Sequence, residues 1–328
     1  MKKKLTAKGI WSILKQTAKG FADHKIVKLA ASLAYYTVFS LAPMLICIIF
    51  LADIFYGREA VEGTVFSQIK GFVGEKVALQ IQEMIKNATQ NGKSSLAAVI
   101  GFSTLIIGAT TVFAEIQDSI NTIWNLKIKP ETGWWKMLLN RVLSFSIIVS
   151  LGFLLLVSLI INALIEALMG RLQQQFPEVA VAVLYIINLL VTLIVTTLLF
   201  AIIFKVLPDA KIRWKDIFTG SLLTSILFLI GKFGITYYIN TSNISSTYGA
   251  AGSIVVLLIW VYYSAIILYL GAELTRIYAA EYGQPIHPNQ YAVWIKEVQV
   301  EEGKKSLKQV EAKKKREDEA TGDDVKVT

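Results

Sequence analysis

The chain has 328 residues, 54% of them hydrophobic and 17% charged, with mean hydropathy +0.54 and a net charge of +9. That apolar share exceeds the roughly 45–50% of an ordinary globular domain. It is gathered into blocks of about 20–28 residues, the length that crosses about 30 Å of hydrocarbon, so a pair of water-soluble domains is excluded although the length would allow it.

Residues 1–28 form a basic leader. It does not read as a cleavable signal peptide, because the apolar block after Lys28 is too long and lacks a small-x-small cleavage site. Trp11, Leu14, Ala18 and Phe21 recur at helical spacing, with Lys8, Lys15 and Lys19 on other faces. The pattern fits either an amphipathic helix on the membrane surface or a plain basic juxtamembrane leader.

Six apolar blocks follow, at about 29–55, 95–120, 142–165, 179–204, 216–239 and 250–275. They predict an all-α polytopic membrane domain over 29–280. The longest connection, 56–94, carries two helical apolar stripes, one through Val61, Val65, Ile69 and Phe72 and one through Val77, Ile81, Met84 and Ala88. It is expected to form two helices on the outer surface. Residues 281–328 are charged, and 303–328 have few apolar positions, which predicts a largely disordered tail.

Orientation follows from lysine and arginine. Eight lysines precede the first span, four basic residues lie between the second and third, four between the fourth and fifth, and ten from Arg276 onward. These 26 share one side; six (Arg58, Lys70, Lys76, Lys86, Lys93 and Arg171) lie on the other. The imbalance puts both termini in the cytoplasm. The positive charge thus reads as topology and contact with anionic lipid, not as nucleic-acid binding, since the basic residues are scattered among loops.

Placed at 100° per residue, polar side chains line one face of each span. The first aligns Ser32, Tyr36, Ser40 and Pro43; the second Gly101, Thr104, Gly108, Thr111, Glu115 and Asp118. The third offers Ser144, Ser158, Asn162 and Glu166, and the fourth Asn188, Thr192 and Thr196. The fifth gathers Ser221, Ser225, Lys232 and Thr236, and the sixth Tyr262, Tyr269, Glu273 and Arg276. Any one stripe is explained by helix packing through small and hydroxyl residues. Six together point to a shared polar interior, for which Lys232, Tyr36, Pro43, Asn188, Tyr262 and Tyr269 are the expected lining. Lys232 sits roughly 22 Å from the cytoplasmic edge of its span at 1.5 Å per residue. It either snorkels outward or forms a cationic site for phosphate or another anionic head group. Pro43 should kink the first span. Glu115, Arg141, Glu273 and Arg276 lie near the cytoplasmic edge, either as an ion-paired ring or as interfacial residues that share a depth.

No metal site or cofactor is expected: the only cysteine is Cys47, and His24 and His287 are far apart. There is no Walker A pattern and hence no ATP-driven engine in this chain.

Several segments together resemble the YihY/BrkB family of bacterial inner-membrane proteins. They are 33–43 (LAYYTVFSLAP), 121–124 (NTIW), 207–209 (LPD) with Arg213 and Trp214, 248–253 (YGAAGS), 260–264 (WVYYS) and 271–273 (GAE). The resemblance runs from about residue 10 to 285. It implies a six-helix fold in the bacterial cytoplasmic membrane and leaves the activity open. Members have carried the name ribonuclease BN or a serum-resistance label, and some are linked to lipid movement. A nuclease needs a His pair or a metal held by His and carboxylates, and no such constellation stands in the sequence. The reading is therefore a non-enzymatic membrane protein transporting a lipid or other anionic envelope compound. The alternative is an envelope scaffold whose 56–94 loop docks a protein partner. Membrane lipids are the expected partners, and oligomeric state is not legible.

Overall fold

The computed structural model describes residues 6–55, 70, 75, 78, 79, 82, 111–129, 177–242 and 252–295. The third predicted span, with Arg141, lies outside them, as do most of the 56–94 loop and residues 296–328. Contacts divide the chain into one unit of Met1–Val293 and a second of Trp294–Thr328, of which Trp294 and Ile295 are described.

Six helices make up the described fold. α1 spans Ala7–Asp23, with Thr6 as N-cap accepting from the Gly9 N–H. A short turn, with Lys25 at φ 51°, leads into α2, Ile26–Phe55, which continues through Pro43. α3 covers 111–123 and ends where Asn125 adopts φ 56°. Then come α4 (Pro177–Val206), α5 (Trp214–Thr241) and α6 (Gly252–Tyr282). Among the described residues three segments are long and apolar enough to cross a membrane, Ile186–Val206, Trp214–Thr241 and Ile254–Tyr282. A shorter apolar helix covers Ile26–Ser40.

α5 packs against both α4 and α6, and α6 also packs against α2 and α1. A run of aromatic contacts ties α4, α5 and α6 together. Phe200 meets Phe228 edge-on at 5.9 Å, and Phe228 meets Trp260 at 6.4 Å. The outward faces are apolar: Leu222, Ile226, Ile230, Phe233 and Tyr237 form an exposed stripe along α5. In water such a stripe would be a liability; in hydrocarbon it is solvated.

The α5–α6 contact is set by a reciprocal glycine–threonine pairing. Gly220 of α5 lies against Thr275 of α6, and Gly271 of α6 lies against Thr224 of α5. In each helix the threonine Oγ1 donates to the carbonyl of the glycine one turn before it, at 2.7 Å. The hydroxyl is thereby satisfied, and the threonine side chain, Oγ1 and methyl alike, occupies the space left by the opposite glycine. Gly231 continues the same antiparallel register, with Tyr263 lying against it.

One end of the bundle is capped by short strands: β1 (Leu126–Ile128), β2 (Ala210–Lys211), β3 (His287–Pro288) and β4 (Ala292–Trp294). β2 pairs antiparallel with β3, Ala210 opposite Pro288, and β1 pairs with β4. The chain after α6 thus folds back over the loops. In the 56–94 loop the described residues 70, 75, 78, 79 and 82 are helical. Lys70 pairs with Glu75 at 3.1 Å, and Ala78 is buried against Ile239, Val256 and Leu257.

Candidate functional site

Three buried carboxylates lie at the capped end, each on a different element. A buried charge is tolerated only where partners replace its water, and each of the three has them. Asp209 follows Leu207-Pro208 in the α4–α5 loop. Its Oδ2 accepts from Gln117 Nε2 at 2.9 Å and Asn121 Nδ2 at 3.0 Å, both on one face of α3. Its Oδ1 accepts from Asn289 Nδ2 at 3.1 Å, and its own N–H donates to Asn121 Oδ1 at 2.9 Å. Asp216, in the first turn of α5, accepts from Arg213 Nε at 3.1 Å and from the Gln284 N–H at 3.3 Å. The positive end of the helix dipole adds to its stabilisation.

Glu273 is the deepest of the three, wholly buried on α6. Arg276, one turn on, holds it with a two-pronged contact, Nη2 to Oε1 at 2.6 Å and Nε to Oε2 at 3.1 Å. His24 Nδ1 approaches Oε2 at 3.3 Å. The contact is an ion pair when the imidazole is protonated. The Glu273 carboxylate raises the His24 pKa above its ordinary value, against the opposing pull of partial burial and of Arg276. Gly20 of α1 lies directly on Glu273, where a Cβ would overlap Oε1. Trp124, fully buried, donates from Nε1 to the Ala272 carbonyl at 3.0 Å.

Of the four charged residues expected near the cytoplasmic edge, the structure brings together Glu273 and Arg276. Glu115 stands half-buried on α3 and is not in that pair; Arg141 is outside the described residues. His24, Asn121, Asp209 and Asn289 were not expected at a site. Asn121, Trp124 and Asp209 do fall within the segments that carried the family resemblance.

A second group lies within the membrane-length part of α5 and α6. Lys232 is half-buried on α5. One turn on, Thr236 Oγ1 is buried with no hydrogen-bond partner among the described residues, and so is the Tyr263 hydroxyl, which lies against Gly231. Buried hydroxyls are normally satisfied, and exceptions call for an explanation. Tyr269 is fully buried nearer the capped end, with its hydroxyl likewise unpartnered, and Tyr262 is half-buried. Tyr36 and Asn188 are exposed on α2 and α4, and the Pro43 side chain is outside the described ones. Ser221, Ser225 and Thr196 are buried, and Ser225 and Thr196 donate to carbonyls of their own helices at 2.8 and 2.7 Å. At these positions the polar stripes serve helix packing. Among the described residues no group of three His, Cys, Asp or Glu side chains could hold a metal ion.

Membrane-length helices with exposed apolar stripes define a multi-pass membrane protein. Residues 17–292 match the family model described as Virulence factor BrkB, and the chain belongs to that family. It is 27% identical over 271 residues to a UPF0761 membrane protein of Aeromonas salmonicida (strain A449), covering 81% of this chain and 88% of that one. It is 30% identical over 258 residues to a UPF0761 membrane protein of Psychromonas ingrahamii (strain DSM 17664 / CCUG 51855 / 37), covering 75% and 80%. A UPF0761 membrane protein of Tolumonas auensis (strain DSM 9187 / NBRC 110442 / TA 4) is 27% identical over 254 residues, covering 75% and 78%. No solved structure matches.

Proposed function

We propose that the chain crosses the membrane six times with both ends in the cytoplasm, and that its polar interior passes a lipid or other anionic envelope compound. The proposal is of a non-enzymatic carrier. The orientation rests on the 26 basic residues grouped on one side against six on the other. The observation that carries the transport reading is the group at Lys232. Lys232 and Thr236 stand one turn apart on α5, and the hydroxyl of Tyr263 on α6 lies against Gly231, next to Lys232 in the chain; both hydroxyls are buried without a hydrogen-bond partner among the described residues. Ionisable groups inside a membrane are costly and mark pathways. One cation flanked by hydroxyl donors suits a phosphate or carboxylate head group, which offers several acceptor oxygens.

The test is a complementation or lipid-flux assay on full-length protein. Lys232→Ala should abolish function with membrane expression unchanged, and Lys232→Arg should retain much of it. Full activity in Lys232→Ala would remove the cationic site from the reading.

A further inference from the structure

We infer that α1 is a bifacial helix whose second face lies in the anionic head-group layer of the membrane while its first face is fixed to α6. The inference stands on geometry separate from Lys232 and survives failure of the transport reading.

At 100° per residue the side chains of α1 sort into three arcs. Gly9, Ile13, Thr17 and Gly20 share one arc and face α6. Ile13 packs with Leu274 and Ile277, Gly9 lies against the Tyr282 hydroxyl, and Gly20 lies against Glu273. At the edge of this arc, Gln16 donates to Glu281 Oε1 and Ser12 approaches the same oxygen at 3.4 Å.

The next arc, about 100° wide, holds Ile10, Phe21, Leu14, Ala18 and Trp11. None of its large side chains is buried, and Trp11 is 71% exposed. The third arc, about 40° wide by the same geometry, holds Lys15, Lys8 and Lys19, all exposed. No acidic residue occurs in α1 before Asp23.

An apolar stripe flanked by lysines is the pattern of a helix lying in an interface, with its apolar side at the acyl boundary and its ammonium groups among lipid phosphates. The fold places it there. α1 is joined by the short turn at His24–Lys25 to α2, whose Ile26–Ser40 stretch is apolar, and it is docked on the last turns of α6, a helix long enough to span. The docking face lies close on α6, because at Gly20 and Gly9 a Cβ would overlap Glu273 and Tyr282. Charge complementarity selects the occupant. Each exposed lysine is attracted to an anionic lipid surface, and the arc has no acid to attract a basic protein surface.

The test uses full-length protein, with Cys47→Ser, in nanodiscs of phosphatidylcholine alone or mixed with phosphatidylglycerol. A polarity-sensitive probe is attached through Trp11→Cys or, in a second variant, Lys19→Cys. Both side chains are exposed, so neither change touches the docking face. The probe at 11 is expected to shift to the blue and be quenched by brominated lipid, more strongly with phosphatidylglycerol. The probe at 19 should stay wet. Replacing Lys8, Lys15 and Lys19 by glutamine should abolish the dependence on phosphatidylglycerol. A water-exposed probe at 11 in both lipid mixtures would overturn the inference. So would a shielded probe that brominated lipid does not quench, which would mean that a second copy or another protein covers the stripe.

Discussion

Gly20 and Glu273 fix how closely α1 approaches α6. With no side chain at 20, the α1 backbone lies directly on a carboxylate that Arg276 and His24 neutralise. Gly20→Ala must push the carboxylate off its partners or lift α1, and overpacking of this kind costs about 1–3 kcal/mol. A lower thermal unfolding midpoint in detergent, with Gly20→Ser at least as damaging, is the expected result. His24 adds a pH dependence. Its folded pKa is raised chiefly by Glu273, so its stabilising effect is complete below its unfolded pKa and is lost as pH rises through the raised value. The groups facing it are Glu273, Arg276 and Asn125. The unfolding midpoint should therefore fall as pH rises above the ordinary histidine value of about 6.5, and His24→Gln should flatten that part of the curve. The Glu273–Arg276 pair was visible in the sequence because it is local, three residues apart. His24 was not, because only the α1–α2 turn brings it there, and a lone histidine carries no spacing signal.

Helices α5 and α6 interlock through Gly220–Thr275 and Thr224–Gly271. Lipid supplies no hydrophobic force between helices, so close backbone approach and filled grooves must hold them. Gly271→Ala should destabilise by about 1–3 kcal/mol. Combining it with Thr224→Gly should recover part of that loss, as a double-mutant cycle on unfolding in mild detergent would measure; strict additivity would mean the two do not touch. The lengths of α4, α5 and α6 were legible from hydropathy to within a few residues at most ends. α6 is the exception, running on to Tyr282, because the bilayer limits the apolar run and not the helix. On α1, the Trp11–Leu14–Ala18 stripe was legible and the docking arc was not. Glycine and threonine hardly register in a hydropathy pattern, yet they are what permits the close contact.

At the scale of the whole molecule, Asp209 joins three stretches of chain far apart in sequence. Its carboxylate gathers amides from Gln117 and Asn121 on α3 and from Asn289 beyond α6. Asp209→Ala would leave those donors facing a gap, at about 1–3 kcal/mol for each one left unsatisfied. The expected sign is faster proteolytic cleavage within 283–295, with the spans still protected; unchanged cleavage would show that the strands hold the cap without it. None of this was legible beforehand. Asn121 and Asp209 appeared only as members of family-like segments, and nothing local tells an aspartate after proline which amides it will meet.

The place of Asn289 in the chain has a consequence for biogenesis. During synthesis α3 and the 207–213 loop emerge before α6, and β3, β4 and Asn289 come after it. Until they arrive, Asp209 lacks its third donor, and β1 and β2 have edges open to other chains. The cap therefore reports completion. A protein whose last helix has failed to insert would leave Asp209 short of the Asn289 amide and β1 and β2 without their partner strands.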